Sequence, residues 1–384
     1  MMTRYFSPLH MEAASFVFES TLDHLPTLPF KGGDVDLVLF FGLRELIREE
    51  LLSTLREGFP NAQLVGCSSA GELHDGHYRQ NTVVVMAVSF EHSHCKTCHV
   101  PAAAFEAQAS MGREIADRLA APDLKGILFL GEGLESDVDP IVSTLSQCLA
   151  ARGLPQLIFG GKAGDNVRFE QTVVVGDGKI HTEGVVAVGL YGNCLQLKAS
   201  TCNVWPRFEQ GLEITSSDAN LIHEFNGRPA AEVYAEILGG PDEIALKDAG
   251  YHPLILLDDN GVPRYARTVF GHDKETGALL CAGNVSGTVQ VGKLNQKSFL
   301  DGVHGVIHDI TSIDPDFILW ASCVGRRLAL GSEVESEGDA IRKACPSSVP
   351  SIGCYCYGEI GFCPHLSDSV FLNHSFNGLA LREI

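Results

Sequence analysis

Two stretches of this chain follow one plan, and that plan limits the fold more than any single motif. The apolar run DVDLVLFFG (34–42) is followed by Leu43, Ile47, Leu51 and Leu55 at four-residue spacing. Gly58, a proline and FPNAQLVGCSSAGE (59–72) come next. The same order recurs downstream as LKGILFLGEG (124–133), then Ile141, Leu145 and Leu149, then Gly153, a proline and LPQLIFGGKAGD (154–165). Apolar residues four apart make one face of a helix, whereas unbroken apolar runs suit strands buried on both sides. Asp139-Pro140 offers the second helix an N-cap and a proline at its first position. Both copies close on Ala-Gly-acid and lead into another buried strand, TVVVMAVSF (82–90) or GVVAVGLYG (184–192). The pattern reads as a duplicated β-α-β-turn-β unit in an α/β fold. Strand–helix alternation favours a largely parallel, helix-covered sheet, with a helix over 103–121 joining the copies.

The pattern changes near residue 213. NLIHEFNGRPAAEVYAEILGG predicts a strand, an Asn226-Gly227 turn, and a helix that starts at Pro229 and stops at Gly239. The Asn260-Gly261 turn and alternating residues around it predict antiparallel strands. Helices are expected near 295–310 and 334–344, around the strand DFILWASC, with short strands at about 351–359 and 376–383. The organisation expected is an N-terminal segment (1–33), a first domain (34–212) and an α+β domain (213–384).

With 384 residues, 45% of them hydrophobic, the chain can bury a large core, but its formal net charge of −20 argues against nucleic acid or an anionic membrane as partner. No run approaches the roughly 18 apolar residues of a membrane span. MMTRYFSPLHMEAASFVF lacks the uninterrupted apolar segment and cleavage site of an export signal. A cytoplasmic location is the expectation, and the twelve cysteines are then reduced thiols. That bears on HSHCKTCHV (92–100), whose Cys95-Lys-Thr-Cys98-His99 spells the covalent haem-attachment pattern. Without export, the stretch reads as a polar loop with some metal affinity, not a haem c site.

Both glycine turns invite a search for chemistry. GCSSAG has Ala70 where a nucleophile elbow needs glycine, and GGKAGD lacks the spacing of a phosphate loop. Crevices at the ends of parallel strands are common ligand sites, so Cys67, Ser68, Gly71 and Gly161 are candidate ligand contacts. The competing reading is backbone geometry shared by two equivalent turns. His304 and His308 are four apart on a helix but lie off its buried stripe, and solvent exposure is expected.

In SIGCYCYGEIGFCPH (351–365), strand alternation would put Cys354 and Cys356 on one face, their Cα atoms roughly 6.7 Å apart. With Cys363 and His365 they form a candidate metal set for zinc or an iron–sulfur cluster. Three small buried hydrophobes is the alternative. Neither Cys67 nor Cys323 is paired with a convincing base, which argues against an enzyme.

At these residues the chain resembles the FIST family, bacterial sensory proteins with paired FIST N and FIST C domains. The likeness is carried by SCVGRRLALG (322–331), IGCYCYGEIGF (352–362) and VFLNHSFNGLAL (370–381), together with VGCSSAGEL (65–73) and the FGGKAGD turn. Its most specific pieces are Gly358-Glu359-Ile360 and Cys323 with Arg326, which adds Cys323, Arg326 and Glu359 to the ligand-binding candidates. The resemblance implies a stand-alone signal-transduction sensor, not a catalyst. One branch of the family binds haem, senses nitric oxide and signals to a histidine kinase or cyclic-di-GMP enzyme. Cysteines at 354 and 356 depart from the commoner family pattern and support a metallocofactor, haem or iron–sulfur, with zinc as a further possibility. His252 and His374 are the candidate haem ligands. The alternative is a cofactor-free receptor for a small ligand such as an amino acid.

Overall fold

The structure, a computed structural model, describes residues 11–19, 32–202, 206–240, 251–293, 295–363 and 366–384. His365 lies outside the described residues. The fold is mixed α/β, with seven α-helices among the described residues and four sheets.

Three of the sheets are built alike. The first is ordered β1 (Glu12–Phe18), β6 (Val83–Ser89), β2 (Leu37–Gly42), β3 (Gln63–Ser68), β10 (Val174–Gly176), β11 (Lys179–His181). The second runs β25 (Asp368–Leu372), β24 (Glu359–Cys363), β9 (Ile158–Lys162), β8 (Leu124–Gly131), β12 (Val185–Tyr191), β7 (His94–Val100). The third is β13 (Leu195–Cys202), β26 (Phe376–Glu383), β22 (Phe317–Cys323), β23 (Ser351–Cys356), β4 (Glu72–His74), β5 (His77–Arg79). Each centres on one parallel pair, β2–β3, β8–β9 or β22–β23, and the other described pairings are antiparallel.

The expectation of a largely parallel sheet is therefore corrected. Each β-α-β unit is followed by a hairpin instead of a second crossover helix, and a hairpin makes its pairing antiparallel. The hairpin also leaves its own sheet. β4–β5 follows β3 yet pairs with β23; β10–β11 follows β9 yet pairs with β3; β24–β25 follows β23 yet pairs with β9.

Helices cover the outer faces: α1 (Glu49–Gly58) on the first sheet, α2 (Gln108–Leu119) and α3 (Val138–Ala150) on the second. On the third lie α5 (Gln296–Thr311), α6 (Val324–Leu330) and α7 (Glu335–Ala344). The inner faces share one core. Leu37, Leu39 and Phe41 enter it from the first sheet, Leu128 and Leu130 from the second, Leu319 and Leu379 from the third. Val38 and Phe40 point the other way, under α1. Two-sided burial explains why these strands are continuously apolar.

Residues 207–240 and 251–292 form a separate lobe. Its sheet is ordered β18 (Pro263–Arg267), β17 (Leu254–Leu257), β21 (Thr288–Gly292), β14 (Arg207–Asp218), β15 (Leu221–Phe225), β20 (Leu279–Cys281), β19 (Val269–His272), with β16 (Arg228–Pro229) on β15. α4 (Ala230–Ile237) packs on it over a core of its own. The Asn226-Gly227 turn forms as expected, both residues having positive φ.

Two local expectations are corrected. HSHCKTCHV is not a loop, since His94–Val100 is an edge strand paired with β12. The N-cap of α3 is Asp137, two residues before Asp139, because the helix begins at Val138. Among the described residues, no helix is long and apolar enough to cross a membrane.

Candidate functional site

The three strand-end turns interlock at the centre of the molecule. The Ala70 amide donates to the Tyr355 carbonyl, Gly164 to Ser68, and Lys162 to Gly358. This close approach explains the glycines. A Cβ on Gly161 would lie 2.7 Å from Cys356 Sγ and 2.8 Å from the Gly358 carbonyl oxygen. Gly71 and Gly358 also have φ of 120° and 134°, which L side chains rarely adopt.

Most of the residues singled out in the sequence lie inside this knot. Cys67 and Ser68 are buried, and the Ser68 hydroxyl accepts the Val173 amide at 3.0 Å. Cys354 and Cys356 share a face as expected, their sulfurs 3.5 Å apart. The contact with Cys356 favours a Cys354 thiolate, but Cys67 and burial outweigh it, so the thiol is held well above its usual range. Cys356 is raised by its contact with Cys354 and then by burial. Cys363 is at the other end of β24, opposite Asp368. Among the described residues, no group of three or more His, Cys, Asp or Glu side chains is arranged to hold a metal ion.

Arg326 is fully buried and faces Glu337, with Nε–Oε1 at 2.7 Å and a second contact at 2.6 Å. Ser322 and Tyr355 donate to the other oxygen of Glu337. Glu359 accepts from the Ser375 amide and hydroxyl, and burial lifts its carboxyl to about 8. Cys323 lies beside it, its thiol pushed well up by burial and by the Glu359 charge. His374 is buried with Nε2 2.9 Å from the Thr268 hydroxyl, and burial, then Arg326, lowers it to about 3. His252 is half-buried, its Nδ1 3.0 Å from the Gly292 carbonyl. His304 and His308 are exposed, as expected.

The open site lies next to the knot. A cleft of about 520 Å³ runs between the carboxyl ends of β8 and β9 on one side and lobe residues Ala219, Asn220, Phe270 and 281–284 on the other. Among the described residues, none of the ligand, haem or metal candidates above is on its wall. Its charged groups among the described residues are Lys162, which ends β9, and Glu135 and Asp137, which lead into α3.

The loop between β8 and α3 wraps around the buried Glu132. That carboxylate accepts the amides of Leu134 (2.7 Å), Glu135 (2.8 Å) and Ser136 (3.2 Å) and the Thr172 hydroxyl (2.7 Å). With Glu132 so satisfied, the charged groups left in the cleft are Lys162 and Asp137, both half-buried, and Glu135, which is exposed. Lys162 Nζ donates to the Ser136 carbonyl at 2.7 Å, which uses one of its three donors. Burial lowers its pKa, with Glu132 and Asp137 pulling the other way. Asp137 accepts the Asp139 amide at 3.3 Å through Oδ1, and burial raises its pKa.

The walls are aromatic and apolar: Leu134, Val138, Phe169, Phe270, Tyr357 and Phe371. The lobe is latched to the body beside them. Arg267, wholly buried, donates to Asp139 Oδ2 at 2.9 Å and to the Phe371 carbonyl at 2.8 Å. The Thr268 amide reaches Asn373, so His374 belongs to this latch.

Lys162 and Asp137 were missed because neither stands in a metal or nucleophile pattern. The available signal was a lysine between Gly161 and Ala163 at a strand end, where lysine has no packing reason to be.

A cleft between a lobe and the carboxyl ends of a parallel strand pair is the usual place for a ligand in such folds. The chain belongs to the FIST family: the FIST N domain matches residues 36–228 and the FIST C domain residues 230–362. It is accordingly a signal-transduction sensor protein of a generally non-catalytic kind. No curated protein matches it.

Proposed function

We propose that this protein senses a small zwitterion, such as an amino acid, bound in the cleft between the lobe and the body. The observation that carries the reading is the pair of incompletely matched charges there, donors on Lys162 and an acceptor on Asp137, against an apolar wall. A ligand carboxylate would take the ammonium of Lys162 and a ligand amine the carboxylate of Asp137, each desolvated and hence strongly felt. Contacts from both lobe and body favour a closed lobe, and that differential is the signal. The output is protein contact with a partner, a histidine kinase or cyclic-di-GMP enzyme in the family's manner.

The test is thermal melting against an amino-acid panel, using wild type, Lys162→Met and Asp137→Asn; asparagine preserves the helix cap. A ligand that raises Tm in wild type and loses its effect in both variants is expected. Stabilisation that survives in both would remove the reading.

A metallocofactor sensor responding to nitric oxide or redox state is the second reading, favoured by the 3.5 Å approach of Cys354 and Cys356. Its weakness is that His252 and His374 lie off the cleft wall and both thiols are held protonated. An anaerobic absorption spectrum with a Soret band or an iron–sulfur shoulder would put it first.

A further inference from the structure

A costly piece of backbone leads into one wall of the cleft. Asn166, Val167 and Phe169 all have positive φ, of 61°, 68° and 56°. That region is disfavoured for any residue with a Cβ, most of all for a β-branched or bulky one. Asp165 holds the segment there. Its carboxylate accepts the amides of Phe169 (2.9 Å), Glu170 (2.7 Å) and Gln171 (3.0 Å) and the Tyr357 hydroxyl. The same hydroxyl takes the Val167 amide at 2.9 Å.

The effect of all this is to fix one ring. Phe169 lies stacked on Tyr357, centroids 4.6 Å apart and planes at 20°, yet is 39% exposed and forms part of the cleft wall. From the lobe, Phe270, also 39% exposed, lines the same cleft. Two large apolar rings left open in one cavity, one from the body and one from the lobe, are unfavourable unless something covers them.

We infer that the cleft selects a ligand with a flat aromatic ring, which packs against Phe169, backed by Tyr357, and against Phe270. Phe169 and Phe270 are specificity-determining residues, and the ligand class is an aromatic zwitterion. This rests on the reading of the cleft as the ligand site, but the preference for a ring comes from the two phenylalanines alone.

The experiment is isothermal titration of the full chain with L-phenylalanine, L-cyclohexylalanine and L-alanine. Cyclohexylalanine keeps the charges and nearly the bulk of phenylalanine but has no π face. Ring-to-ring packing should favour phenylalanine by roughly 2- to 10-fold. Phe169→Leu, and independently Phe270→Leu in the lobe, should bring that ratio close to one. Equal affinity for the two large amino acids, lost in Lys162→Met, would overturn the ring preference and leave the zwitterion reading standing. Binding of alanine as tight as phenylalanine would overturn the ring preference in the same way. Failure of all three, with the amino-acid panel also silent, would overturn both.

Discussion

Changing Glu337 to glutamine isolates what Arg326 does. Both side chains are essentially without solvent contact, at 1% and 0% exposure, and the guanidinium meets Oε1 twice within 2.7 Å. It also lies 4.4 Å over the Phe299 ring and donates to the Phe299 carbonyl at 3.3 Å. Glutamine has the same size, but with its carbonyl oxygen toward the Ser322 and Tyr355 hydroxyls its amide NH2 faces the guanidinium, so the change removes the charge and the acceptor that Arg326 uses. An uncompensated buried cation then remains, and breaking such a pair costs about 3–5 kcal/mol. Urea denaturation followed by far-ultraviolet circular dichroism, at unchanged m-value, measures it. The loss should persist at high salt, because a buried pair is poorly screened. The double variant Arg326→Met/Glu337→Leu should cost less than the two single variants together, since neither charge is left alone. A loss below about 1 kcal/mol for Glu337→Gln would refute the reasoning, as it would match an exposed pair. Ligand-induced stabilisation should survive, because Arg326 is not on the cleft wall.

Further outcomes follow from the knot. Gly161→Ala places a methyl against Cys356 and the Gly358 carbonyl, so it should destabilise by about 1–3 kcal/mol in a thermal melt; a neutral result would mean the turns are not in contact. Glu359, held at about 8 by burial, keeps a proton in the folded state that the unfolded chain loses near 4.5. Stability should thus fall as pH rises from about 4.5 to 8, and Glu359→Gln should flatten that slope in urea midpoints; an unchanged slope would count against it. A thiol reagent at neutral pH should label the partly exposed Cys95, Cys148, Cys194 and Cys345 before Cys354 and Cys356. Equal labelling rates, read by peptide mass mapping, would contradict the burial.

The sequence showed local structure well and long-range pairing poorly. Runs such as VLFF and TVVVMAV are strands whatever surrounds them, and Leu51 and Leu55 fall on the buried face of α1 as their spacing requires. Cys354 and Cys356 share a face because the period of a strand is two. What could not be read was which strand meets which. GCSSAGE and GGKAGD resemble each other, but nothing local says that GCYCYGE closes the same knot or that β4 pairs with β23. HSHCKTCHV looked like a loop because its apolar positions are few; it is an edge strand, where only one face needs them. Family-specific residues such as Arg326 and Glu359 drew attention as ligand contacts, whereas burial gives them partners within the protein. The cleft itself is made by the lobe, and no linear pattern announces where a lobe comes to rest.

The exchanged hairpins have a consequence during synthesis. β4 emerges from the ribosome long before Cys354, the residue that its Glu72 faces across the sheet. At about 5–20 residues per second, the nascent chain waits roughly a quarter of a minute to a minute with that edge unpaired. β9 likewise waits for β24. A truncated first half would present these open strand edges permanently, a template for aggregation, so the protein ripens only when its last strands arrive.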